Sequence, residues 1–152
     1  MSRLEAFLDT FFNATVMARY LPDILAGFVV ACWVAVLVVI SGLALGLVLA
    51  VLRSYRNRWA NLCIVIFVDL FRALPPLVTI LILYFGLPNL GITLSGFVVL
   101  WLVLTLVLAA FAEEIFWAGI TSVDPGQWWA ARSTGLGFLE PLVFVVLPQA
   151  VR

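Results

Sequence analysis

The sequence contains neither lysine nor histidine, because all eight of its basic residues are arginine. A Walker A phosphate loop needs a lysine, so the chain cannot build one. The usual metal sites need clusters of histidine and cysteine. The two cysteines, Cys32 and Cys63, lie in separate apolar stretches, where unpaired thiols are expected. We therefore predict no catalytic residues, no metal site and no cofactor, and any energy source must come from a partner.

Charge is scarce as well. Charged residues make up 11% of the chain and hydrophobic residues 66%, with a mean hydropathy of +1.24, whereas soluble domains are about a quarter charged. Too few polar side chains remain to cover a globule in water. The composition predicts an integral membrane protein that is surrounded by membrane lipid and has no nucleic-acid partner.

Long apolar runs predict membrane-spanning helices. Residues 24–52 and 94–112 carry no charge, and a spanning helix needs about 20 such residues. A further span, within residues 60–87, is interrupted by two charged residues and by Pro75 and Pro76. We predict an all-α membrane protein with three transmembrane helices.

Small residues recur within the first predicted span. Gly42, Gly46 and Ala50 are spaced four residues apart and therefore lie on one side of a helix. Such a stripe allows two helix backbones to approach closely. We predict a helix-packing seam along these three positions.

The residues before the first span have a different pattern. Leu4, Phe7, Leu8 and Phe11 recur at helical spacing, with charged residues between them. An amphipathic helix of this kind lies in the membrane interface. We therefore divide the chain into an interfacial segment, residues 1–23, and a transmembrane domain, residues 24–152.

The distribution of arginine predicts the orientation of the chain. The link after the first span contains three arginines and no acid, the link after the second contains none, and the amino-terminal and closing segments contain two each. Arginine-rich loops remain in the cytoplasm. We expect the amino terminus outside and the loop 121–149 in the cytoplasm.

This closing loop contains residues that start and stop helices. Asp124 suits a helix N-cap and Pro125 the first helical position, whereas Gly135 suits the left-handed conformation that ends a helix. A second short helix can begin at Phe138 and end near Pro148. The resulting angled, tryptophan-rich element fits either a docking site for a partner or an aromatic belt at the membrane surface.

The same loop resembles the cytoplasmic pattern E-A-A-x3-G-x9-I-x-L-P of permease subunits in bacterial binding-protein-dependent ABC importers. The stretch from Ala130 to Pro148, AARSTGLGFLEPLVFVVLP, keeps the spacing of that pattern, with valine in place of isoleucine. The segments FRALPPLV, YFGLP, SVDPGQW and LPQAVR are similar to motifs of the polar amino acid branch. The resemblance covers roughly residues 20–152.

The resemblance implies an ABC importer permease fold in the bacterial inner membrane, with a coupling loop over residues 121–149. The implied partners are an ATP-binding subunit, which binds the ATP, a second permease subunit, the same or paralogous, and an extracytoplasmic solute-binding protein. The residues expected to couple to the ATPase are Gln127, Trp128, Trp129, Ala130, Ala131, Gly135, Leu147 and Pro148.

Two of the chain's departures from the family pattern bear directly on its function. Trp129 occupies the position of the glutamate in the family motif, which replaces a charged contact with an apolar one. Family members also continue through about two further spans, so we expect this chain to be a fragment or a carboxyl-terminally truncated product.

Four charged residues lie within or beside the predicted spans. Arg72 either pairs with Asp69, three residues earlier, or meets a substrate carboxylate; Glu113 and Glu114 either mark a helix end or meet a substrate ammonium. We expect Arg72 to pair with Asp69. Arg72, Glu113 and Glu114 remain candidates for the substrate path.

Together, these features predict the permease subunit of an ATP-driven importer for polar amino acids, which is a transporter subunit and not itself an enzyme. Two alternatives remain open. The solute could be another small polar molecule, such as an opine, or the chain could be a truncated membrane protein that does not transport.

Overall fold

The computed structural model describes residues 3–150, except for the side chains of Glu5, Ala6 and Leu8. This part of the chain contains no strand, which confirms the all-α class. The middle of the last helix, Leu142–Val146, is π-helical, and a 3-10 turn covers Leu87–Leu90. The helices are α1 (Arg3–Phe12), α2 (Ala14–Ser54), α3 (Arg58–Ala73), α4 (Pro76–Gly86), α5 (Gly96–Ser122), α6 (Pro125–Ser133) and α7 (Leu139–Ala150).

The chain divides into two compact units, residues 1–37 and 38–152. The first unit holds α1, as predicted, and the beginning of α2. Leu4, Phe7 and Phe11 are exposed on α1, whereas the side chain of Leu8, the fourth predicted apolar position, lies outside the described residues. Asn13 separates the two helices, and its amide oxygen accepts hydrogen bonds from two backbone N–H groups in the first turn of α2.

Two predicted span boundaries do not coincide with helix ends. α2 begins at Ala14 rather than near residue 24, and Pro22 lies inside it. α5 does not end at residue 112 but continues to Ser122. Glu113 lies within α5, where an arginine on α2 pairs with it, as described below.

The predicted second span is broken. α3 and α4 are bent by 100° relative to each other, because Leu74 adopts extended backbone angles before Pro75 and Pro76. Within the described residues, two helical stretches, Asp9–Ser54 and Gly96–Ser122, are long and apolar enough to cross a membrane. The broken pair makes a third when it is counted as one span.

In the second unit, the small-residue stripe of α2 packs closely against α5, as predicted. A Cβ atom added at Gly42 would lie 2.8 Å from a Leu108 side-chain carbon, and one at Gly46 would lie 2.7 Å from the Ala112 Cβ. Ala50 is completely buried. Because no larger side chain fits, glycine is required at the two closest points of this interface.

A polar contact crosses the same interface. The hydroxyl oxygens of Ser41 on α2 and Thr105 on α5 lie 2.8 Å apart, and the indole N–H of Trp101 donates to Ser41 Oγ at 3.2 Å. In an apolar environment these groups satisfy each other. They fix the register of α2 against α5.

Two apolar clusters complete the packing of the second unit. One joins α5 to α3 and α4, and its buried members are Val99, Val103 and Val107. The other joins the last turns of α2 and α5 to α7, and its buried members are Ala50, Ile120, Leu142 and Val146. The second cluster holds the closing loop against the ends of the long helices.

Candidate coupling loop and charge cluster

The first helix of the closing loop begins and ends where the sequence indicates. Asp124 is the N-cap of α6, and its Oδ1 accepts a hydrogen bond from the Gly126 N–H at 2.6 Å. Pro125 is the first helical residue. Beyond the end of α6, Gly135 has a φ of +90°, a left-handed conformation that strains a residue with a Cβ. The start and the end of α6 are therefore determined by the residues at these positions themselves.

Aromatic side chains hold this elbow against the link between α2 and α3. The Phe138 ring stacks on that of Tyr55, with centroids 4.4 Å apart. The Trp128 ring meets Phe138 edge-on at 4.9 Å. Trp128 and Leu147 also pack against the apolar cluster at the ends of α2 and α5. The two parts of the closing loop are thus attached to the same base.

The predicted coupling residues divide into two groups by burial. Three are half-buried and face the rest of the unit: Trp128, Ala131 and Leu147. The others are exposed: Gln127, Trp129, Ala130, Gly135 and Pro148. Trp129 is the extreme case, since 64% of its surface is accessible. The exposed coupling residues of α6 are therefore a glutamine, a tryptophan and an alanine.

The second part of the loop differs from the prediction. We expected a helix that ends near Pro148, but α7 continues to at least Ala150. The π-helical turn explains the difference, because the Leu147 N–H donates to the Leu142 carbonyl, five residues earlier. Pro148, which has no N–H, directly follows this wider turn, where the ordinary i to i−4 pattern is already shifted.

Four charged side chains meet between α2, α3 and α5. Arg53 Nη1 lies 3.1 and 3.0 Å from the two carboxylate oxygens of Glu113, and 3.2 Å from Glu114 Oε1. Arg72 Nη1 lies 3.3 Å from Glu114 Oε2. Glu113 is completely buried, whereas Glu114 is half-buried. We call Arg53, Arg72, Glu113 and Glu114 the charge cluster.

The charge cluster is neutral and braced by aromatic rings. The Arg53 guanidinium lies over the ring of Trp117, 4.8 Å from its centroid, and that of Arg72 lies 5.4 Å from the centroid of Phe111. Two cations balance two carboxylates, so the cluster can remain at the end of an apolar helix bundle without a net buried charge. Its contacts tie three helices together.

The cluster corrects the predicted partner of Arg72. We expected Asp69, but Arg72 pairs with Glu114 on α5, and Asp69 forms no ion pair within residues 3–150. Asp69 is exposed because the side of α3 that carries it does not face α5. The sequence pattern does not indicate the role of Arg53, which it assigns only to the orientation of the chain. The signal that could have found Arg53 is its place in the sequence. It follows Ala50, the last position of the packing seam, by three residues and therefore lies close to the neighbouring helix.

The three candidate path residues are brought together. Arg72, Glu113 and Glu114 all belong to the charge cluster, where they bind one another and Arg53. Among residues 3–150, no group of histidine, cysteine, aspartate and glutamate has the geometry to hold a metal ion. The chemistry available in the charge cluster is ion pairing, in which a carboxylate can exchange one cationic partner for another.

Comparison with known proteins identifies the family. Residues 42–152, well over half of the chain, match the family described as "Binding-protein-dependent transport system inner membrane component". The matched range includes the glycine seam, the charge cluster and the closing loop.

Curated relatives support the same assignment. The chain is 36% identical over 126 residues to "Probable glutamine ABC transporter permease protein GlnP" of Bacillus subtilis, covering 83% of this chain and 58% of that protein. It is 33% identical over 142 residues to "Arginine transport system permease protein ArtQ" of the same organism, covering 93% and 64%. The chain thus spans less than two thirds of the length of these relatives.

A solved structure has the same fold. It is described as "Crystal structure of an amino acid ABC transporter with histidines", and it superposes with a TM-score of 0.77 at 31% sequence identity, covering 90% of this chain and 64% of that one. The chain therefore belongs to the family of inner membrane components of binding-protein-dependent transport systems, and its relatives there are amino acid ABC transporter permeases.

Proposed function

We propose that this chain forms part of the membrane-spanning subunit of an ATP-driven importer for polar amino acids. Its relatives, named for glutamine and arginine, and its structural neighbour, an amino acid ABC transporter, support this class of solute. The subunit works with an ATP-binding subunit, a second permease subunit and an extracytoplasmic solute-binding protein. Its amino terminus lies outside the inner membrane, and the loop 121–149 lies in the cytoplasm.

The observation that carries the coupling role is the attachment of the closing loop. The chain has no lysine for a phosphate loop, so the energy of ATP hydrolysis must reach it as movement of a contacting element. Through Trp128 and Phe138, α6 and the elbow rest on Tyr55, and α7 rests on the ends of α2 and α5. A push on α6 is therefore transmitted to the long helices.

The charge cluster has a defined place in this proposal. Arg72, Glu113 and Glu114 are proposed to border the substrate path, with Glu114 as the accessible carboxylate because Glu113 is completely buried. A substrate ammonium that reaches Glu114 must displace Arg53 or Arg72 from it. Glu114→Gln should therefore raise the KM for a cationic amino acid more than for a neutral one.

The coupling role is tested at the elbow. In the assembled transporter that contains this chain, Gly135→Val should abolish substrate-stimulated ATP hydrolysis, because a β-branched residue is strained at a φ of +90°. Ala131→Arg should have the same effect, because Ala131 is a half-buried residue of α6 and leaves no room for a long charged side chain. Membrane insertion should not change.

Gly86→Val is the matched control for Gly135→Val. No atom lies within 4 Å of an added Cβ at either glycine, but Gly86 has a φ of −84°, so only Gly135 requires the left-handed backbone. Normal stimulated hydrolysis and uptake by Gly135→Val and Ala131→Arg would show that the loop is an aromatic belt and not a coupling element.

A further inference from the structure

A cleft lies at the base of the closing loop, inside the second unit. It has a volume of about 380 Å³ and is bordered by α6, the end of α5 and the link between α2 and α3. The charge cluster is separate from it, since none of the four cluster residues lines it. Six of the lining residues carry its chemistry: Arg56, Asp124, Arg132, Ile120, Trp128 and Phe138.

Two cations line this cleft from different elements. Arg56 belongs to the link after α2, and Arg132 belongs to the last turn of α6. Within the described part of the chain, neither guanidinium takes part in an ion pair. Asp124, the acidic residue of the lining, uses its Oδ1 to cap α6 at Gly126 N–H. Cations therefore exceed acids in the cleft, which favours an anionic ligand.

The backbone of Arg56 gives a second, independent indication. Arg56 has a φ of +56° and is the non-glycine residue with positive φ within residues 3–150. Asparagine or glycine adopts this conformation more easily than arginine does. Strained residues of this kind concentrate at functional sites. Arg56 also closes the end of α2, since its N–H donates to the Arg53 carbonyl, and its side chain lines the cleft.

The remaining lining makes the cleft amphipathic. Trp128 and Phe138 are half-buried, and Ile120 is buried at the floor. The cleft adjoins the last turn of α5, one of the helices that are long enough to cross a membrane. Aromatic side chains and arginine at the end of a spanning helix lie at the level of lipid headgroups. A ligand with a phosphate and an adjoining apolar chain matches both parts of the lining.

We propose that this cleft binds the phosphate of an acidic phospholipid, held between Arg56 and Arg132 with its glycerol backbone against the aromatic wall. The lipid would occupy the space between α6 and the end of α5 and so brace the closing loop. The assignment does not depend on the identity of the transported solute.

The test measures lipid binding by the full chain in detergent. Native mass spectrometry with dioctanoyl phosphatidylglycerol should detect one saturable site, and dioctanoyl phosphatidylcholine should bind much more weakly. Arg56→Asn and Arg132→Gln should each weaken phosphatidylglycerol binding about fivefold, the size expected for one arginine near an anionic lipid. Arg58→Gln is the matched control, since Arg58, the first residue of α3, lies two positions after Arg56 but does not line the cleft.

A thermal unfolding measurement separates binding from folding. Arg56→Asn should leave the Tm unchanged or raise it, because asparagine tolerates the positive φ. Binding at the wild-type level in both variants, or equal binding of the two lipids by the wild type, would overturn the proposal. Equal competition by inorganic phosphate would overturn the lipid assignment in favour of a free anion. Displacement of the lipid by an ATPase subunit would assign the cleft to the protein interface instead.

Discussion

Arg53 and Glu113 are separated by 60 positions in the sequence, yet the Arg53 guanidinium contacts both oxygens of the Glu113 carboxylate through a single nitrogen, Nη1. Glu113 is completely buried, and Arg53 retains only 16% of its side-chain exposure. The pair connects the end of α2 to the middle of α5, beyond the Gly46 contact. Close packing and charge neutralisation therefore occur side by side at the same interface.

The first prediction concerns this pair. Glu113→Leu should lower the free energy of unfolding by about 3 kcal/mol, because it leaves Arg53 with only the half-exposed Glu114 as a partner. The double variant Arg53→Met with Glu113→Leu should recover most of the loss, because no unpaired charge remains. Unfolding in mixed micelles measures both quantities. Asp69→Asn, at a charged residue outside the cluster, should change stability by less than about 0.5 kcal/mol.

Equal losses in the single and double variants would contradict the ion-pair interpretation. A large loss in Asp69→Asn would instead restore the expectation that Arg72 depends on Asp69.

The second prediction concerns the glycine seam. Gly46→Val should destabilise the chain by about 2 kcal/mol, because its Cβ would lie 2.7 Å from the Ala112 Cβ and 3.0 Å from the Ala109 carbonyl oxygen. Gly27→Val changes the same residue type in the same helix, but an added Cβ there meets no atom within 4 Å. Its unfolding should match that of the wild type. Similar behaviour of the two variants would mean that the seam is not a packing constraint.

The third prediction compares two buried threonines. Thr105 shares a hydrogen bond of 2.8 Å with Ser41, whereas Thr79 Oγ1 is buried without a partner in the described residues. Thr105→Val should cost about 0.6 to 1 kcal/mol, the usual value for a hydrogen bond between membrane helices. Thr79→Val should be neutral or stabilising, because it removes an unsatisfied hydroxyl. The unfolding midpoint of Thr105→Val should therefore be lower than that of Thr79→Val. The reverse order would show that the hydroxyl of Thr105 does not stabilise the contact between α2 and α5.

The fourth prediction concerns Trp129, which is 64% exposed on α6. If α6 docks on an ATPase subunit through this side chain, the association should depend only weakly on ionic strength, because the contact is apolar. Trp129→Glu should introduce a clear salt dependence, because it places a charge at the contact. Binding is measured between about 50 and about 500 mM salt, a range over which the Debye length becomes much shorter. Trp59→Glu changes another exposed tryptophan, outside the loop 121–149, and should not alter the salt dependence. Strong salt dependence of the unmodified chain would contradict the apolar docking.

The fifth prediction concerns orientation. In a background without Cys32 and Cys63, a cysteine at Asn89, in the exposed turn after α4, should react with a membrane-impermeant reagent in intact cells. A cysteine at Gln127, exposed on α6, should react only after the cells are opened. This follows from the arginines of the link after α2 and of the closing segment, which favour the cytoplasmic side. The reverse pattern of labelling would place the loop outside and remove the basis of the coupling proposal.

Local sequence patterns were sufficient for several parts of the site. The cap at Asp124, the helix start at Pro125 and the left-handed elbow at Gly135 all occur as predicted, because each depends on the chemistry of one or two residues. The glycine seam was predictable for a similar reason: the spacing of small residues defines one side of a helix without any knowledge of its partner.

Interactions between distant segments could not be predicted in the same way. The choice of Glu114 over Asp69 by Arg72 depends on which sides of α3 and α5 face each other. The pairing of Glu113 with Arg53, on another helix, likewise depends on how α2 and α5 pack.

By itself, the sequence determined that this protein is helical and membrane-embedded, which residues of α2 allow close packing, and where the closing loop turns. Hydrophobicity, the spacing of small residues and turn chemistry are all properties of residues that are close in sequence. Only the tertiary structure decided that Arg53 joins Glu113 and Glu114, that α3 and α4 bend by 100°, and that Arg56 and Arg132 face one cleft. The physical reason is that ion pairs and clefts depend on the relative rotation of packed helices, which the pattern within any one helix does not specify.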